Sequence, residues 1–97
     1  MAVNAYLEIT MKIPAENRPA AAEVFFKYRG PFLETIEGAE TKSLLVRDED
    51  VQVLHGFDSA EHAKAYLSTE LFTRDVAAGL SPLWSADPEI RIFTAAA

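Results

Sequence analysis

The chain contains no cysteine. That absence excludes disulfides, thiolate nucleophiles, iron–sulfur ligation and cysteine-based zinc sites together. Positive charge is scarce as well: nine Lys and Arg stand against fifteen Asp and Glu, for a formal charge of -6, and the nine are scattered from Lys12 to Arg91 without forming a stripe. Such a surface repels a phosphate backbone, so nucleic acid is not an expected partner. Nowhere do about 18 apolar residues follow one another, which leaves no membrane span. The opening run from Met1 to Glu8 has neither the basic nor the apolar region of a secretory leader. The expectation is a cytoplasmic protein with no membrane partner. A phosphate-cradling glycine loop, a Gly-x-Ser-x-Gly elbow and a zinc-protease helix are also missing.

What is present is an ordinary globular composition, 49% hydrophobic and 25% charged over 97 residues, enough for one core and hence a single domain over residues 1–97. A domain this small buries only about two-thirds of its unfolded surface, which favours association with a second copy. The first segment alternates: Val3, Ala5, Leu7, Ile9, Met11 and Ile13 are apolar, with Asn4, Tyr6, Glu8, Thr10 and Lys12 between them. Period two predicts a strand with one buried face, ended by Pro14. Pro19 suits the first turn of a helix, and Ala21, Phe25, Tyr28, Phe32 and Ile36 fall on one stripe of it. Gly30-Pro31 predicts a break or kink in that helix, and Gly38 a left-handed cap at its end.

Strands are predicted over residues 40–47 and 51–57, joined by a solvated hairpin turn at Asp48-Glu49-Asp50. That acidic run lacks the glycine and bidentate spacing of a calcium loop, and no metal site is expected. Asp58 or Ser59 caps a helix that carries Ala63, Tyr66 and Leu67 inward, with His62 at a solvated position in its first turn. Ser68 or Thr69 restarts a helix with Phe72, Val76 and Leu80 inward, and Pro88 introduces a last strand over residues 89–94. The order βαββαβ predicts an α+β, ferredoxin-like domain: a four-stranded antiparallel sheet with strands one and three central and the helices on one face. Val51, Val53, His55, Phe57, Ile90 and Ile92 join the odd-numbered residues of the first strand on the helix side. Tyr6, Glu8, Thr10, Gln52, Leu54, Arg91 and Phe93 form the other face, where Glu8 and Arg91 are predicted to make a cross-strand ion pair.

The stretch Phe57-Asp58-Ser59-Ala60-Glu61-His62-Ala63-Lys64-Ala65-Tyr66-Leu67-Ser68-Thr69-Glu70-Leu71-Phe72, with Leu80-Ser81-Pro82-Leu83 and Pro88-Glu89-Ile90-Arg91-Ile92-Phe93, resembles the dimeric α+β barrel proteins, in their antibiotic-biosynthesis-monooxygenase-like branch. The likeness covers nearly the whole chain in topology and is carried by packing and capping residues. It implies a homodimer through the open sheet faces and, in each protomer, an apolar pocket between sheet and helices for a small aromatic or polyketide-type compound. It also implies an oxygenase-like or isomerase-like reaction without a bound cofactor. Haem-degrading relatives use an Asn on the helix-facing side of the first strand and an iron-binding His in the second helical region. Here Asn4 has the opposite parity and Val76 stands at the helix position, so no haem is expected. The paired histidines of stress-responsive and polyketide-cyclase relatives are likewise replaced, by Ser68-Thr69-Glu70-Leu71.

His55 is the one titratable residue assigned to the helix side of a central strand, and so the candidate acid or base. The alternative is a core histidine bonded to backbone or to a tyrosine. Tyr28, Tyr66 and Trp84, with Phe57 and Phe72, are the candidate wall for a flat ligand, or else ordinary core. Arg29 and Arg74 read as anion contacts at a pocket mouth or as surface ion pairs. The function is thus either an enzyme using His55 and tyrosines for proton transfer or a non-catalytic module for ligand binding or assembly.

Overall fold

Alternation in the opening segment builds the middle of the sheet. In the computed structural model, which describes residues 2–97, strand β1 is Ala5–Met11. Its odd residues Ala5, Leu7, Ile9 and Met11 are buried, and Tyr6, Glu8 and Thr10 are half-buried on the other side. Helix α1 is Arg18–Thr35, β2 is Ala39–Val46, β3 is Val51–Phe57 and α2 is Ala60–Tyr66. A π-helical stretch over Leu71–Val76 runs into the short helix α3, Ala77–Leu80, and β4 is Glu89–Thr94. The sheet is antiparallel throughout in the order β2-β3-β1-β4, as expected for the ferredoxin-like arrangement. Leu7, Ile9, Met11, Val51, Val53 and Phe57 meet Phe25 and Phe32 of α1 and Ala63 and Tyr66 of α2 in one core, each large apolar side chain contributing roughly 1.5–3 kcal/mol by leaving water.

Four local expectations need correction. First, Gly30-Pro31 does not break α1. The carbonyl that Pro31 leaves without a donor is that of Lys27, and both residues are exposed, so water can take the place of the lost bond. Thr35 Oγ1 donates to Pro31 O at 2.6 Å, binding the last turn to the proline. Second, the helix after Thr69 begins with a π-helical stretch. Thr69 does cap it, accepting from Phe72 N at 3.3 Å while its hydroxyl donates to Tyr66 O at 2.7 Å, so one side chain closes α2 and opens the next element.

Third, the acidic hairpin turn is only partly solvated. Asp50 is 3% exposed and receives both Nε and a terminal nitrogen of Arg47 at 2.8 Å, the bidentate geometry that makes such pairs strong. Arg18, at the start of α1, donates to the carbonyls of Ile13, Arg47 and Asp48 at 3.1, 2.8 and 2.9 Å, tying helix and hairpin together. Fourth, Glu8 and Arg91 are cross-strand neighbours on the open face, which confirms the parity, but Arg91 pairs with Glu89 on its own strand. Ile90 and Ile92 sit opposite Ile9 and Leu7, on the helix side, yet stay 45% and 36% exposed because β4 is an edge strand with incomplete cover.

Ser59 caps α2 by accepting from His62 N at 3.1 Å. Gly38 ends the α1–β2 turn with φ 81°, and a Cβ there would run into the Asp58 carboxylate and the His62 ring. His62 is more engaged than a solvated helix turn suggests: Nδ1 lies 2.6 Å from Asp58 Oδ1 and Nε2 lies 3.2 Å from Glu37 Oε1. Gly38→Ala is expected to destabilise the fold by about 1–2 kcal/mol, the cost of a left-handed side-chain-bearing residue, read as a lower urea midpoint with an unchanged m-value. An unchanged midpoint would refute the assignment of strain to this turn.

Candidate functional site

An apolar cavity of about 140 Å³ lies between the sheet and the helices. Its floor is Ile9, Met11, Val51 and Val53, its roof Phe25, Val76 and Leu80, and its far edge Trp84, Pro88 and Ile90. Of the residues singled out from sequence, His55, Phe72 and Trp84 line it. Tyr28, Phe57 and Tyr66 do not. Phe57 and Tyr66 are fully buried beside it in an aromatic cluster with Phe32 and His55, their ring centroids 5.0–6.0 Å apart. Tyr28 is half-buried on α1, with the Lys27 ammonium 5.3 Å from its ring centre. Both tyrosines thus stand outside the cavity wall; the Tyr66 hydroxyl is buried with no hydrogen-bond partner among the described residues, and burial raises its pKa.

His55 satisfies both of its readings. Its Nδ1 donates to Leu7 O at 3.0 Å, so it is a backbone-bonded core residue, and the residue also forms part of the cavity wall. Burial, with the nearby Lys42 charge, pushes its pKa down to about 3. The imidazole is neutral at any physiological pH and in the unliganded pocket is a weak base.

The residue missed from the sequence is Lys42. It is 4% exposed, lines the cavity and is the cross-strand partner of His55. Its ammonium sits 5.0 Å from the Phe32 ring centre and 5.6 Å from that of Phe25, a cation–π setting, and makes no salt bridge among the described residues. Burial, aided by the charge of Arg29, lowers its pKa to about 8. Arg29 Nε donates to Lys42 O at 3.3 Å, so Arg29 supports β2 and forms no surface ion pair, whereas Arg74 pairs with Glu70 and Asp75. A signal for Lys42 was available. A turn joining Val46 to Val51 places residue 42 opposite 55 on the same face. Trp84 also lines the cavity, and its Nε1 is a buried donor with no acceptor among the described residues.

No protein-family model matches the chain, and no curated protein matches it in sequence. Solved structures do match. An inferred antibiotic biosynthesis monooxygenase of Caulobacter crescentus CB15 superposes with a TM-score of 0.83 at 17% identity, over 98% of this chain and 92% of that one. A conserved protein of Methanosarcina mazei Go1 gives 0.81 at 13% identity, covering 95% and 92%. A monooxygenase of Streptomyces coelicolor, solved with the ligand nanaomycin D, gives 0.81 at 11% identity, covering 98% and 89%. Several of these matching structures are described as antibiotic biosynthesis monooxygenases, in keeping with the resemblance read from the sequence. At these identities the shared property is the fold.

The lowered pKa of His55 has a consequence for stability. Between the ordinary imidazole value of 6.5 and about 3, the unfolded chain binds a proton at this residue that the folded chain does not, so stability falls as pH drops through that window, by about 1.4 kcal/mol per pH unit. In His55→Gln the slope is expected to be shallower by that amount. Urea titrations of both proteins at a series of acidic pH values measure the difference, and parallel slopes would contradict a buried neutral His55.

Proposed function

We propose that the chain is a cytoplasmic homodimer whose sheet–helix cavity binds a small planar compound, aromatic or polyketide-type, bearing an ionisable hydroxyl. The protein acts on this compound as an oxygenase-like or isomerase-like enzyme without a bound cofactor. The observation that supports this best is that Lys42, His55 and Trp84 all line an otherwise apolar cavity. Ligand sites characteristically combine apolar walls with a few such groups. The cavity holds about 140 Å³. Its volume suits a single ring, since an apolar cavity of about 150 Å³ accepts benzene.

In this reading the Lys42 charge stabilises the anion formed when the substrate loses its proton. His55 accepts the hydroxyl hydrogen bond and becomes a competent base only once the developing negative charge raises its pKa. The nanaomycin D complex of the Streptomyces coelicolor neighbour supports ligand binding on this fold. A second reading keeps the pocket and drops the chemistry. The backbone bond of His55 and its low pKa favour a binding module without turnover.

Thermal shift with single-ring phenols, coupled to oxygen-consumption measurements, separates the two. At about 100 times Kd the wild type is expected to gain roughly 10 °C, and His55→Leu and Trp84→Phe are expected to lose about tenfold in affinity, or about 1.4 kcal/mol. Binding without oxygen uptake or isomerised product leaves the binding module. Affinities that ignore both substitutions would remove the site.

The dimer is proposed through the open sheet face. Tyr6 and Leu54 are half-buried there, and Leu45 and Phe93 are 45% and 49% exposed, an apolar surface suited to a second sheet. Sedimentation equilibrium is expected to give twice the mass of one chain for the wild type and a single chain for a Leu54→Glu, Phe93→Glu double variant. A monomeric wild type at micromolar concentration would overturn the interface.

A further inference from the structure

We propose that Lys42 is a carbonyl-capturing amine, and that the cavity takes small apolar aldehydes or ketones, aryl aldehydes above all, as reversible imines on its Nζ. Lys12, Lys27 and Lys64 are all exposed, while Lys42 is 4% exposed and forms part of the cavity wall. No carboxylate lines that wall, so nothing holds the amine in its protonated form except two aromatic rings. Arg29, bonded to the Lys42 carbonyl, adds a like charge nearby. Desolvation and a neighbouring cation are the two devices that make a lysine nucleophilic near neutral pH. Both act here, lowering the pKa to about 8.

The chemistry balances with groups that line the cavity. The nitrogen lone pair attacks the carbonyl carbon, the C=O π pair moves to oxygen, and the proton lost by nitrogen is taken up by that oxygen to give a neutral carbinolamine. Expulsion of its hydroxyl, with one further proton from nitrogen, releases water and leaves the C=N bond, with no change of oxidation state. Trp84 Nε1–H, buried without an acceptor, is a donor for the carbonyl oxygen. His55 lies opposite Lys42 on the adjacent strand, their Cβ atoms roughly 5 Å apart by strand geometry, and its Nε2 can relay the proton. This inference rests on the cavity being a ligand pocket and is independent of oxygen chemistry.

Benzaldehyde with sodium cyanoborohydride, followed by peptide mass mapping of the full chain, tests it. A single benzyl group is expected on Lys42, appearing about tenfold faster than on Lys12, Lys27 or Lys64, with a rate that rises to a midpoint near pH 8 and falls when a single-ring phenol competes. Lys42→Met and Lys42→Arg are expected to remove the fast reaction, with near-ultraviolet circular dichroism showing that each remains folded. Equal modification of all four lysines, or slower reaction at Lys42, overturns the proposal. If phenols still shift the melting temperature in that case, the pocket stands and only the imine falls; if they do not, both fall.

Discussion

The register between β1 and β3 is the constraint on which the rest depends. It pairs Leu7 with His55 and Ile9 with Val53, and the His55 ring reinforces it by donating to the carbonyl of its partner, Leu7. Side chains alternate with a period of two, so a slip of one residue would turn His55, Val53 and Val51 outward together and put Leu54 and Gln52 under the helices. The helices could not pack on that surface. One antiparallel pairing therefore decides where the core lies, which strand face stays open and which polar residue reaches the cavity.

The β2–β3 hairpin extends the same constraint to Lys42. Arg47 and Asp50 close the turn from inside, and Arg18 clamps its outer carbonyls to the start of α1, so Val46 meets Val51 and Lys42 meets His55. Burying an ammonium without a counter-ion is costly. The protein offsets part of that cost with the faces of Phe25 and Phe32, and the remainder appears as the lowered pKa of the amine. A hydrophobic residue would fit a mere packing position at less cost, which is why this lysine points to function more than the deeper Tyr66 and Phe57 do.

Much of the architecture was legible because the signals were local. Alternation marked β1, Ser59 marked the start of α2, Gly38 marked a left-handed turn and Pro88 the approach to β4. Gly30-Pro31 misled because a proline penalty depends on whether the orphaned carbonyl can be hydrated, and Lys27 and Pro31 are both exposed. Asp50 misled because three acids in a row read as solvated, although one of them is buried against Arg47. Glu8 and Arg91 were placed correctly as neighbours, but a partner two residues away on β4 is nearer to hand than one across the sheet.

The site was less legible for a different reason. Aromatic residues at helical spacing look the same whether they fill a core or line a space. Tyr66 and Phe57 became filling, Phe72 and Trp84 became wall, and no pattern in the sequence separates them. What distinguishes a wall is volume left over after packing, which depends on several elements at once. Over Leu71–Val76 the helix is π-helical and brings Phe72 and Val76 to the cavity, Phe72 packing edge-on against the Tyr66 ring at 5.2 Å between centroids. The cavity roof thus includes the stripe of Phe72, Val76 and Leu80 in a segment that Thr69 anchors at its start, and the chemistry of the wall rests on a lysine that only the hairpin register reveals.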